Sequence, residues 1–259
     1  MFEPRLAIAS LSGESDAEWA TQVAPHIGCA FLGGIALDSA TRDAAREMVD
    51  RDRTEFLPAD PIDFIDEQLA ALDDADMRAG FNVRSATLEP IAKAAETCAN
   101  HDALLEINAH CRQEEMCAVG AGQSLLCDGD RLCEQVTTAA GAGADVSVKI
   151  RTEVEGVDLP SLARRLADTG ADALHVDAMD SEPVVREVAE AAPDAFLVAN
   201  NGVRDRATAH EYLEYGADAV SVGRPSDNPT VLRRVREAVD EWFAATGGAE
   251  SRSEVSPDA

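Results

Sequence analysis

Lys149 interrupts an apolar run in VSVKIRT, and it is one of only two lysines, with Lys93, in a chain that otherwise uses arginine. Arg151 stands two residues on, and the alternation of a β-strand puts both side chains on the same side. A lysine held there can neutralise an anion that develops during a reaction, or form a Schiff base with a carbonyl substrate. Two short loops further along, Asn201-Gly202 and Gly223-Arg224, combine glycine with polar neighbours. Glycine lets an anion approach the backbone, and arginine can grip phosphate oxygens in bidentate fashion. Upstream, Glu106, Asn108, His110 and Cys111 crowd into one segment, while His175 and Asp177 follow in ALHVDA. Cys111 opens a set of four cysteines, with Cys117, Cys127 and Cys133, spaced C-x5-C-x9-C-x5-C. Zinc and iron–sulfur sites draw on tighter pairs. No metal site is therefore expected, and each thiol is read as buried or reactive by itself.

These residues need a scaffold that brings them to one place. Short β-type runs alternate with helix-type segments eight times: Leu6–Ser10, Cys29–Gly33, Ala79–Val83, Leu104–Asn108, Val146–Arg151, Ala173–Asp177, Phe196–Asn200 and Ala219–Gly223. Most are apolar along their length, as parallel strands buried on both faces are. Between them Ile62, Ile65, Leu69 and Leu72 fall on one helical face, as do Leu159, Leu162 and Leu166, and Val231, Val235, Val239 and Phe243. Asp158, Pro160 and Gly170 punctuate the start and end of one such helix. This is the arithmetic of a single-domain α/β fold, a (β/α)8 TIM barrel over 1–246, with a doubly wound sheet as the alternative. Chemistry in such a barrel sits at the C-terminal strand ends, where Glu106, Asn108, His110, Cys111, Lys149, Arg151, His175, Asp177 and the two glycine loops fall. The longest insertion, Asp38–Arg78, lies between the second and third strands, where it could cover part of the mouth. The segment 247–259, small, polar and unpatterned, is expected to be a disordered acidic tail.

Composition limits the partners. The 259 residues carry 22 Lys plus Arg against 49 Asp plus Glu, a net charge of -27. Such a surface suits a salt-rich, halophilic cytoplasm, where the Debye length falls to about 3 Å and self-repulsion is screened. It also repels phosphate backbones, so a nucleic-acid partner needs a local basic patch. No apolar run approaches the roughly 20 residues of a membrane span, and nothing at Met1–Ser10 marks the chain for export. A cytoplasmic protein is expected; whether it is a monomer or a homo-oligomer is not fixed by the residues.

The stretches LLEINAHCRQEEMCAVGAGQSLL, VSVKIRT, GADALHVDA and ANNGVRDRATAHEYLEYGADAVSVGR together resemble the flavin barrel of the tRNA-dihydrouridine synthases. Order and spacing match over roughly Leu6 to Arg224. The likeness is to a divergent archaeal branch related to dihydroorotate and dihydropyrimidine dehydrogenases. In that family an Asn-x-Gly-Cys-Pro segment carries the cysteine that donates a proton. Cys111 matches the cysteine, while His110 and Arg112 stand where the family has glycine and proline. The family's strand lysine and following arginine match Lys149 and Arg151, and its third-strand glutamine is matched by Asn82. Its phosphate-gripping residues match Gly202, Gly223 and Arg224. Asp177 stands where the family has histidine, and the proline-methionine opening of the first strand is absent. The family's C-terminal helical domain, which grips tRNA, is expected to be missing.

The resemblance implies FMN bound by Asn82, Lys149, Asn201, Gly202, Gly223 and Arg224. It implies a pyrimidine, free or in tRNA, held by Asn108, Arg151 and Asp177, and NAD(P)H or another electron donor. Hydride would pass from the flavin to C6 of the pyrimidine while Cys111 protonates C5, with Lys149 stabilising the reduced flavin. A thiol of ordinary pKa, about 8.5, is protonated near neutrality and competent as an acid. Three alternatives stay open: a dehydrogenase-like enzyme acting on a free base, a flavin-free Schiff-base lyase using Lys149, and a barrel that only binds.

Overall fold

Eight strands form where β-branched and aliphatic runs cannot close a hydrophobic face alone, and each hands over to a helix that covers its outer side. In the computed structural model, which describes residues 1–253, these are β1 Leu6–Ile8, β2 Cys29–Ala36, β3 Arg78–Arg84, β4 Leu104–Asn108, β5 Asp145–Arg151, β6 Ala173–Asp177, β7 Phe196–Asn200 and β8 Ala219–Val222. They pair in parallel in sequence order, and β8 returns to β1, so the sheet is a closed (β/α)8 TIM barrel. The doubly wound alternative has an open sheet and does not describe the chain.

The helical stripes pack as their periods require. Leu159, Leu162 and Leu166 are buried along the helix Leu159–Thr169, whose Asp158 side chain accepts the Ser161 N–H and whose end is left-handed at Gly170. Outward-facing Leu105, Ile107, Val146, Val148, Ile150, Leu174 and Val176 join one continuous core between barrel and helices. The inner faces differ from the apolar reading of the sequence. Only the N-terminal end of the interior is apolar, filled by Ala7, Cys29, Phe31, Leu104, Val198 and Ala219. Above it the inward positions turn polar: Asn82, Glu106, Ser147, His175 and Ser221, all 0% exposed.

The insertion after β2 contains the helices Ser39–Val49 and Pro61–Ala70. It is fastened at its centre by a buried ion pair between Glu55 and Arg84, and Arg84 also donates to the Gly34 carbonyl. That carbonyl is exposed by a β-bulge at Gly33–Ile35. Gly34 takes φ 86°, and a Cβ there would lie 2.7 Å from Ser12 Oγ, so a side chain would be both strained and crowded. The last helix runs Pro229–Ser253, past the point where the tail was expected to begin, and 254–259 lie outside the described residues. No helix among the described residues is long and apolar enough to cross a membrane.

Candidate active site

The polar layer is a continuous hydrogen-bonded chain that ends on the backbone of Cys111. Asn200 Nδ2 donates to Ser221 Oγ at 2.7 Å, which leaves the Ser221 hydroxyl proton for His175 Nε2, also at 2.7 Å. His175 therefore carries its proton on Nδ1 and donates it to Glu106 Oε2 at 2.6 Å. Asn82 Nδ2 donates to Glu106 Oε1 at 2.7 Å, and Asn108 Nδ2 donates to Asn82 Oδ1 at 2.8 Å. Asn108 Oδ1 then accepts the backbone N–H groups of Cys111 at 2.8 Å and His110 at 3.1 Å. Burial disfavours a charged His175, and Lys149 adds to that, so its pKa lies below the ordinary histidine value. Burial opposes the charge on Glu106 as well, but His175, Lys149 and the Asn82 amide hold its carboxyl below the usual carboxylate range. A neutral imidazole beside a carboxylate gives each link of the chain a donor facing an acceptor.

The loop after β4 is held from its other side too. Gln123 N–H donates to the Cys111 carbonyl at 2.8 Å, and Gly122, at φ 63°, lies so close that a Cβ would come within 2.3 Å of that oxygen. Arg84 stands against the Cys111 sulfur. Burial opposes its charge, but Glu55 and Cys111 beside it keep its pKa above the ordinary arginine value.

Two adjoining chambers open at the C-terminal mouth. The first, about 330 Å³, is lined by Lys149, Asn200, Asn201 and Gly202 with Gly223 and Arg224. The second, about 320 Å³, is lined by Asn108, Cys111, Arg112, Arg151 and, from the insertion, Arg53. Lys149, His110, Asp177, Asn201, Arg224 and Ser10 face both. His110 Nε2 lies 2.5 Å from Asp177 Oδ2. Burial, reinforced by Lys149, pushes the His110 pKa down against the pull of Asp177. Asp177, although burial opposes its charge, is held low by the His110 hydrogen bond.

The fold thus gathers all but one of the residues to which the resemblance assigns a role. Cys111, Lys149, Asn108, Arg151, Asp177, Asn201, Gly202, Gly223 and Arg224 line the chambers. Asn82 does not: it lies below them at 0% exposure, with its amide committed to Glu106 and Asn108, and in this structure it supports the site from beneath rather than facing a cofactor. Asn108 reaches the second chamber with its amide bonded to Asn82 and to the Cys111 loop, so it positions that loop. His175 points down into the barrel and not into the mouth. The roles of Arg53 and Arg84 escaped the sequence reading: Arg84 is the last residue of β3, but its partner lies far off in the insertion, and Arg53 stands in no strand at all. The Glu55–Arg84 pair is formed across the insertion, and the one available signal was the length of that insertion.

Comparison with known proteins agrees with this arrangement. The family model described as Dihydrouridine synthase (Dus) matches residues 71–248. An uncharacterized protein of Methanocaldococcus jannaschii is 28% identical over 227 residues, which cover 83% of this chain and 86% of that protein. A structure of DHODH in complex with ferulenol from Eimeria tenella superposes with a TM-score of 0.68 at 16% identity, covering 94% of this chain and 82% of that one. A mutant of FabK from Thermotoga maritima gives a TM-score of 0.58 at 14% identity, over 87% of this chain and 63% of that one. The two structural likenesses speak to the fold, and the family match, which spans well over half of the chain, speaks to descent: the protein belongs to the dihydrouridine synthase family.

Proposed function

We propose that this protein is an FMN-dependent oxidoreductase that interconverts a pyrimidine and its 5,6-dihydro form. Family membership supports the flavin oxidoreductase class, and one observation carries the finer reading. Lys149 is 3% exposed, has no hydrogen bond or ion pair with a protein group among the described residues, and stands on the wall shared by both chambers. It lies between the glycine loops on one side and Cys111 on the other. The carboxylates of Glu106 and Asp177 act on it only at a distance, so the ammonium is left open to a bound group that supplies opposite charge in contact.

The first chamber fits a flavin phosphate. A Cβ built on Gly223 meets nothing within 4 Å, and one on Gly202 meets only Arg204 Nη1 at 3.9 Å, so open space lies over both loop backbones. Gly202, Gly223, Asn201 and Arg224 would hold the phosphate there. Bound in this way, the flavin would supply a hydride to C6 of the pyrimidine and carry negative charge in its reduced state. Lys149 would hold that charge, and its low exposure keeps water from screening it.

Cys111 faces the second chamber, where its S–H bond would break as a C–H bond forms at C5 of the pyrimidine. The hydrogen-bond chain through Asn108 fixes where that sulfur stands. Water or a second donor restores the thiol for the next turnover. Arg151 faces the substrate, and Asp177 holds His110 between the chambers. NAD(P)H or an equivalent donor would reduce the flavin, and the pyrimidine would enter free or within tRNA.

An absorption spectrum of the purified protein tests this reading. Flavin bands are expected, with lower FMN occupancy in Arg224→Gln and a shifted flavin potential in Lys149→Met. Full occupancy with an unchanged potential in both variants would overturn the assignment. A colourless protein whose Lys149 is trapped by borohydride with a carbonyl substrate would point instead to Schiff-base chemistry.

A further inference from the structure

The charge of the mouth runs against the charge of the protein. Acidic residues outnumber basic ones 49 to 22, yet Arg53, Arg112, Lys149, Arg151 and Arg224 all line the second chamber. Among the described residues none of these five forms an ion pair. Among the described residues the only carboxylate on either chamber wall is Asp177, and its Oδ2 is taken by His110. Arg151 is 6% exposed, and its one side-chain hydrogen bond runs from Nε to the Thr152 carbonyl at 3.3 Å. Its two terminal nitrogens therefore reach the chamber without a partner among the described residues.

A bound flavin accounts for part of this charge: its phosphate for Arg224, its reduced ring for Lys149. Arg53, Arg112 and Arg151 are left over, and they belong to the chamber of Cys111. We infer that the second chamber takes a substrate with its own negative charge, a small pyrimidine bearing an oxyanion gripped by Arg151 with Arg53 and Arg112. This deepens the reading above and rests on it for the ring chemistry. A phosphomonoester and a ring carboxylate present the same chemistry to these guanidinium groups. A polynucleotide would bring further phosphates over an outer surface that is strongly acidic, whereas a small anion enters the chamber alone.

Arg53 reaches the mouth because the Glu55–Arg84 pair, two residues along, pins the insertion to the end of β3. Arg51, on the same segment, is instead paired with Glu115 at 2.5 Å and so serves as an internal control.

The test is equilibrium binding to the FMN-loaded protein by calorimetry, with four probes: uridine, uridine 5′-monophosphate, uracil-6-carboxylate and a short uridine-containing RNA. One of the two small anions is expected to bind at least tenfold more tightly than uridine. Whichever it is identifies the oxyanion as phosphate or carboxylate. The double variant Arg53→Gln/Arg112→Gln should erase that advantage with flavin occupancy unchanged, and Arg51→Gln should keep it. Equal binding of uridine and both anions, or an advantage that survives the double variant, would overturn the inference. So would tightest binding of the RNA with a salt dependence of several phosphates. Flavin uptake is read separately by absorbance, so a protein that takes no flavin yet prefers the small anion loses the flavin assignment and keeps the anion site.

Discussion

The two ends of the barrel both carry cavities and both carry cations, but only one end leaves its cations free. The cavity at the N-terminal end is the larger, about 610 Å³ against about 330 and 320 Å³ for the chambers at the mouth. There Arg78 lies 2.5 Å from Asp145 and 3.6 Å from Asp102, and His101 sits between Asp66 at 3.0 Å and Asp73 at 2.9 Å. Every such contact closes a charge within the chain. At the mouth Lys149, Arg151 and Arg224 have no such partner among the described residues, and a hydrogen-bonded chain six side chains long aims the Cys111 loop into the same space. Size marks the wrong end. Charge left without a partner in a confined space marks the end where a ligand is needed to complete the structure.

The contrast can be broken most sharply at Cys111. Cys111→Ala should slow the pyrimidine half-reaction by about 10²- to 10⁴-fold, the range ascribed to a positioned acid, while reduction of the flavin by its donor proceeds as before. Stopped-flow measurement of the two half-reactions separates them, and equal rates in variant and parent would make Cys111 structural. Next in size is the chain beneath it. Glu106→Ala leaves His175 and Asn82 without their shared acceptor in a fully buried layer, a loss expected to cost about 1–3 kcal/mol for each donor left unsatisfied, read in denaturant unfolding. A cost below about 1 kcal/mol would mean that the polar layer does not hold the mouth together.

A smaller effect comes from pH. The His175 pKa is lowered in the fold, so as pH falls through its ordinary value of 6.5 the unfolded chain takes up a proton that the folded one refuses. Stability is then full above about that pH and declines below it. Glu106, also lowered, adds a second decline as pH falls through its ordinary value of 4.5. Unfolding midpoints measured from pH 8 to 4 should fall, and His175→Asn should flatten the first part of the slope, leaving the share that His110, also lowered by burial, contributes. Midpoints that rise as pH falls through 6.5 would instead mean that the imidazole is protonated in the fold. The smallest effect belongs to the other end of the barrel. Arg78→Gln removes ion pairs near the surface and should cost under about 1 kcal/mol, with FMN binding and turnover unchanged. A loss of turnover there would erase the distinction between the two ends.

Much of this was legible in the residues. The eight strand segments were readable because buried parallel strands and amphipathic helices differ in period, and Asp158, Pro160 and Gly170 punctuate their helix as capping chemistry requires. Cys111, Lys149, Arg151 and the two glycine loops were readable because polar residues at the C-terminal end of a barrel strand are unusual without a function. The destinations of the amide side chains were not. Asn82 and Asn108 each offer a donor and an acceptor, and nothing in their own segments says whether these turn to a ligand or to a neighbouring strand. That depends on the register that sets Asn82 against Glu106 and Asn108 against Lys149.

The sequence alone determined the fold class and the rim on which chemistry would gather, because periodicity and strand-end position are local properties of the chain. Only the tertiary structure decided which charges remain without partners. The Glu55–Arg84 ion pair and the His110–Asp177 hydrogen bond join residues 29 and 67 positions apart. Whether a cation is satisfied is a property of distances across the closed barrel, and no local pattern encodes them.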